Sequence, residues 1–194
     1  MKFEQINHII FFDAKASDFD GKYNLKFSHH ELEYNGEKFK YHNSGLCRNV
    51  FISEDKTFVI KVPVPDGDLY LGPNDLDDLK WKFLHWSAQH NILEYLAYEQ
   101  CPEDLKPYFA KTELLDHGWI KQEYVEVFKV NYSHDLRELG RKKDGQICLF
   151  DYDPIIGIES YCSPFRNTKL EDIQFARHQF ENIVKIIENH ETGS

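Results

Sequence analysis

Three charged residues fall where their type and position together suggest chemistry. Lys61 lies in the run Val-Ile-Lys-Val, alternating with apolar residues near the end of a strand pattern. A lysine buried there alone would be costly, because an ammonium loses its water and gains nothing in return. Glu94 follows in a helical run and is its natural counter-ion. Asp151 closes the run Ile-Cys-Leu-Phe-Asp, where a strand gives way to a loop. A carboxylate so placed suits a magnesium ion that bridges phosphates.

The elements that must position these residues can be read from periodicity. Tyr23 to Ser28 alternates apolar and polar residues, and Glu31 to His42 carries Asn35-Gly36 between two alternating arms, a strong hairpin signal. Asn49 to Val64 repeats the pattern around the polar turn Ser53 to Lys56. Four or five antiparallel strands are expected in about forty residues. From Asn74 to Gln100 the apolar residues recur at helical spacing, with Asn74 as the cap, Asp75, Asp77 and Asp78 at the positive end of the dipole, and a break near Gln89 to Asn91 allowed by the length. Strand signals return on either side of Asp116 to Gly118 and again before Asp151. Last, Thr168 and Glu171 form a capping box ahead of an apolar face made by Ile173, Ala176, Phe180, Ile183, Val184 and Ile187. Strands, helix, strands and a final helix make an α+β protein.

Composition narrows the function classes. The chain has 194 residues, with 41% apolar and 15% aromatic, enough for one domain with its own core. With 33 acidic against 23 basic residues the formal charge is −10, which disfavours direct nucleic-acid binding. No apolar run approaches the roughly 18–20 residues needed to cross a bilayer, and the first residues lack a signal peptide's cleavage site, so a soluble, cytoplasmic protein without membrane contact is expected. Cys47, Cys101, Cys148 and Cys162 are far apart and suggest neither a disulfide framework nor a zinc knuckle. The ten histidines include no HExxH, and His85 and His90 fall on different helix faces.

Six segments in order resemble the protein-kinase superfamily, and most closely its reduced, kinase-like members of bacterial and phage type. They are SGLCRNVF, VIKV, NILEYLAYE, DHGWIKQEYVE, HDL and DGQICLFDYD. They resemble the glycine-rich loop, the nucleotide lysine strand, the helix glutamate, the strands leading to the hinge, the catalytic-loop aspartate and the magnesium-binding Asp-Phe-Gly segment. The resemblance implies an antiparallel sheet like a kinase N-lobe with a packed helix, a short catalytic-loop and metal-loop hairpin, and a C-terminal amphipathic helix. One kinase-like domain would then span residues 1–194, N-lobe-like over about 23–128 and reduced over 129–194. It further implies ATP and Mg2+ as cofactors, with Gly45, Lys61 and Glu94 on the nucleotide side and Asp151 on the metal. Asp135 would be the catalytic base, and Glu123 to Glu126 would lie beside the adenine.

Departures from the pattern set the functional alternatives. Only Gly45 remains of the three loop glycines; Arg48 takes the last place, where it could meet phosphate or fill the cleft. Gly140 stands where the catalytic-loop asparagine is expected, so a second metal ligand would have to come from Asp153. Asp135 comes only nine positions after Glu126, too few for a helix of about 20 residues and roughly 30 Å. With 43 residues after Asp151, a full helical lobe is not expected. The first expectation is a pseudokinase that binds a protein partner. The second is a minimal phosphotransferase using ATP and Mg2+, and the third is an acidic, phage-type inhibitor of a host nucleic-acid-binding protein.

Overall fold

The computed structural model describes residues 26–27, 31–44, 48–63, 76–115, 118–127, 139–152 and 173–192. Gly45, Asp135 and Asp153 lie outside them, as do Asn74 and the pair Thr168 and Glu171.

Five strands come first: β1 (Lys26–Phe27), β2 (Glu31–Tyr34), β3 (Glu37–Ser44), β4 (Arg48–Ser53) and β5 (Phe58–Pro63). Helix α1 (Leu76–Gln100) follows, then a single 3₁₀ turn (Lys106–Tyr108), β6 (Thr112–Leu114) and β7 (Ile120–Glu123). These seven strands form one antiparallel sheet in the order β1-β2-β3-β4-β5-β7-β6. A second sheet of β8 (Glu126–Val127), β9 (Leu139–Arg141) and β10 (Ile147–Leu149) has the order β10-β9-β8. Helix α2 (Arg177–Thr192) comes last. The fold is α+β, a kinase N-lobe-like antiparallel sheet with a helix inserted after the lysine strand and packed on β5, β6 and β7.

Local chemistry accounts for the hairpins. Asn35 and Gly36 both have positive φ, 51° and 80°, as a two-residue turn of this hand requires. The β4–β5 turn is closed by Asp55, whose Oδ1 accepts from the Ser53 hydroxyl at 2.7 Å and from the Thr57 amide and hydroxyl at 3.0 and 2.6 Å.

Register then divides β4 and β5 between two environments. Phe51 faces Ile60 across the pair, and with Leu32, Phe39, Val62 and Trp119 they form a small core on one face of the sheet. Val50 faces Lys61 on the opposite face, so Arg48, two residues before Val50, shares the side of Lys61. Val59 faces Gln122, and Thr112 faces Gln122 in turn, which brings both to the same side.

A larger core lies beyond the helix. Ile92, Leu93, Leu96 and Ala97 of α1 meet Phe109, Leu139, Leu149 and Tyr152, then Phe175, Phe180, Ile183, Val184 and Ile187. Helix α1 is therefore covered on all sides from Ala88 to Leu93, with Gln89, His90 and Asn91 buried alongside the apolar residues. It runs without the break its length allowed.

The last helix begins later than the sequence pattern suggested. Ile173 to Ala176 are not helical, because Gln100 holds that segment: its Nε2 donates to the Ile173 carbonyl at 3.0 Å and its Oε1 accepts from the Phe175 amide at 2.8 Å. Ala176 is the cap, and Gln179 reaches back to accept from its amide at 2.7 Å. The apolar face of α2 is then Phe180, Ile183, Val184 and Ile187.

Candidate functional site: a buried cluster of charges

On the helix side of the sheet, four charged groups meet. Lys61 Nζ is 2.7 Å from Glu94 Oε1, and it also donates to the Phe150 carbonyl at 3.0 Å. Arg48 donates from one guanidinium nitrogen to Glu94 Oε2 and from the other to Asp151 Oδ1, the latter at 2.6 Å. The groups thus run Lys61, Glu94, Arg48, Asp151 in a chain of alternating sign, two cations against two anions. Glu94 is almost wholly buried and the Arg48 side chain is only 8% exposed, so the pairing is obligatory rather than decorative.

Neutral groups complete the shell. Gln122 Nε2 donates to Glu94 Oε1 at 2.8 Å and to the Thr112 hydroxyl at 2.9 Å. The Tyr152 hydroxyl lies 3.3 Å from that of Thr112 and donates to the Ala110 carbonyl. Asn91, one helical turn before Glu94, uses its amide to hold the carbonyls of Lys61 at 3.0 Å and Gly118 at 2.9 Å, and its Oδ1 accepts from Arg48 at 3.3 Å. Helix, sheet and the segment after β10 are therefore joined by one polar network.

The field in the cluster shapes its acid–base state. Burial pushes the Asp151 carboxyl up, but the Arg48 guanidinium, the Lys61 ammonium and the hydrogen bond from Arg48 outweigh it. With a smaller contribution from His90, they hold Asp151 well below the usual carboxylate range. Burial and the nearby Glu94 charge push the Tyr152 phenol well up, so it stays a neutral hydroxyl. The thiols of Cys101 and Cys148 are free and buried, and burial pushes each up to about 12. Neither is a thiolate at neutral pH.

Of the residues singled out in the sequence, Lys61, Glu94 and Asp151 come together here, whereas Gly45, Asp135 and Asp153 lie outside the described residues. Gln122, Asn91, Thr112 and Tyr152 had not been singled out. Gln122 did leave a trace, as a polar residue on the inward period of Ile-Lys-Gln-Glu.

The described residues, as arranged, do not fit a nucleotide-bound magnesium ion. The Arg48 cation already spans the two carboxylates, and among the described residues no group of three or more His, Cys, Asp or Glu is placed to hold a metal. Position 140 could not supply an asparagine: a Cβ there would lie 2.5 Å from Val125 Cγ2, because Gly140 pairs with Val127 and its backbone runs close against Val125. In the segment expected beside an adenine, the amides of Glu123 and Tyr124 donate to the carbonyls of Lys111 and Thr57.

No family model matches the chain, and no curated protein does. Among solved structures it is similar to a co-crystal structure of WbdD with the kinase inhibitor LY294002, at a TM-score of 0.39 and 12% identity. The match covers 81% of this chain and 48% of that one, so the chain spans about half the length of that protein. Among the described residues no helix is long and apolar enough to cross a membrane.

Proposed function

We propose that this chain is a kinase-like scaffold without nucleotide chemistry, a pseudokinase in effect, that works by binding a protein partner. The observation that carries the reading is Arg48 joined to both Glu94 and Asp151. A guanidinium there supplies the positive charge that a metal and a nucleotide lysine would otherwise share. The engaged amides of Glu123 and Tyr124 support the same reading, because backbone groups of that segment are what an adenine would need.

A second reading, a minimal phosphotransferase using ATP and Mg2+, draws on the 2.7 Å Lys61–Glu94 pair and on Asp151 beside it. In that case Lys61 would contact phosphate, Asp151 would hold the metal, and Asp135 would orient the nucleophile. Thermal unfolding with and without millimolar ATP–Mg separates the two. The scaffold shows no shift. A rise of roughly 5–10 °C, as expected at about 100 times the dissociation constant and lost in Lys61→Ala and Asp151→Ala, would overturn a scaffold without nucleotide chemistry and justify a substrate search for the phosphotransferase. A protein partner that binds wild type and Asp151→Asn equally well would complete the case.

A further inference from the structure

We propose that Arg48 is an autoinhibitory latch: an internal, tethered cation that closes the carboxylate pair Glu94 and Asp151 against divalent metal ions. The inference deepens the scaffold reading and rests on it, since it names what keeps the site silent.

Four features lead to it. Register alone places Arg48 on the same face of the sheet as Lys61, with β4 and β5 fixing its starting point. Its two guanidinium nitrogens then part company, one to Glu94 on α1 and the other to Asp151 after β10. Those carboxylates belong to elements 57 residues apart in sequence, and Arg48 lies 46 residues before the first of them. Finally, Lys61 is already committed to Glu94 Oε1 and the Phe150 carbonyl, so among the described residues Arg48 is the cation that serves Asp151 directly.

Charge bookkeeping shows what its loss would do. With Arg48 the charges of Lys61, Arg48, Glu94 and Asp151 sum to zero. Without it, two carboxylates, Glu94 buried and Asp151 27% exposed, share one ammonium, and the remaining negative charge calls for a cation. A divalent ion binds oxygen ligands of this kind, and Asn91 Oδ1, which now accepts from Arg48, faces the same space. A proton could also neutralise the cluster, which is why the probe must be the metal itself.

The test is Mn2+ binding, followed by loss of the free-ion EPR signal and by thermal unfolding without nucleotide. Wild type should take up no Mn2+ at this site. Arg48→Gln keeps an amide of similar reach but no charge; it should bind one equivalent at least tenfold more tightly than wild type and gain thermal stability with the metal. Arg48→Gln with Asp151→Asn should lose that gain. Equal Mn2+ binding by wild type and Arg48→Gln, or none by a folded Arg48→Gln, would overturn the latch. Should Arg48→Gln not fold, Arg48→Met decides: it keeps the aliphatic reach and removes the charge, so uptake of Mn2+ supports the latch and its absence overturns it. The scaffold reading fails separately, on an ATP–Mg shift in wild type.

Discussion

Two arginines in this chain each hold two carboxylates, one around the buried Glu94 and one on the surface. Arg48 joins Glu94 to Asp151 between sheet, helix and hairpin. Arg177 joins Asp104, at 2.5 and 3.2 Å, to Glu181, at 2.7 Å, on the surface at the start of α2. On a list of contacts the two look alike, and the outer one has the better fork geometry. Their surroundings differ: Glu94 is 1% exposed, whereas the Arg177 side chain is 54% and that of Asp104 60% exposed. Water can replace every partner of Arg177 but none of those of Glu94. Geometry alone therefore does not rank ion pairs; what remains when one partner is removed does.

The sharpest way to break that contrast is Glu94→Ala. It leaves the Arg48 and Lys61 charges facing each other in a buried site, and should cost about 3–5 kcal/mol in denaturant unfolding. A loss well under 1 kcal/mol would erase the distinction between the two arginines. Gln122→Leu comes next: Glu94 loses one of its donors and Thr112 loses the same amide, for about 1–3 kcal/mol. The third is the pH dependence of Asp151. Its folded carboxyl is held below the ordinary value by Arg48 and Lys61, so it adds stability above the unfolded pKa of about 3.9 that is lost as pH falls toward the folded one. Asp151→Asn should flatten that limb of the acid-unfolding curve, and an unchanged limb would mean that Asp151 is not held in this way.

Smaller effects test the outer side. Asp55, lowered from 3.8 to about 2 by hydrogen bonds from Thr57 and Ser53, adds to stability above pH 4 and ceases to do so as pH falls through 2. Exchange of the Thr57 and Phe58 amides should speed up across that window while the helix amides stay protected. Arg177→Ala should produce the smallest change of all, with a midpoint that shifts little at low salt and not at all near 1 M, where the screening length is about 3 Å.

How much of this was legible in the sequence depended on the range of the interaction that decides it. The Asn35-Gly36 hairpin and the Phe180 to Ile187 face are local patterns, and both elements formed where those residues stand. Lys61 and Glu94 were legible as a pair because a lysine on an inward strand period demands a partner. Arg48 was legible only as two alternatives, since its direction depends on which residue of β5 faces Val50, and that register is set across the sheet. Strand β9 pairs locally with β10, but the tight fit at Gly140 left no local signal, because Val125, which sets it, lies 15 residues earlier beside β8. The start of α2 was misplaced because the residues that keep Ile173 to Ala176 out of the helix belong to Gln100, 73 residues earlier.

That clasp has a consequence for the order in which the chain can assemble. Leu32, Phe39, Phe51, Ile60, Val62 and Trp119 can close their small core as soon as Trp119 has left the ribosome. Ile92, Leu93, Leu96 and Phe109 cannot; Leu139, Leu149 and Tyr152 join them first, and Phe175, Phe180, Ile183, Val184 and Ile187 complete the cluster. For the synthesis of some sixty further residues, several seconds at about 5–20 residues per second, the part of that cluster which α2 supplies is still missing. Gln100, at the end of α1, is the docking point for the late segment, so its two hydrogen bonds mark the moment at which the cluster is completed.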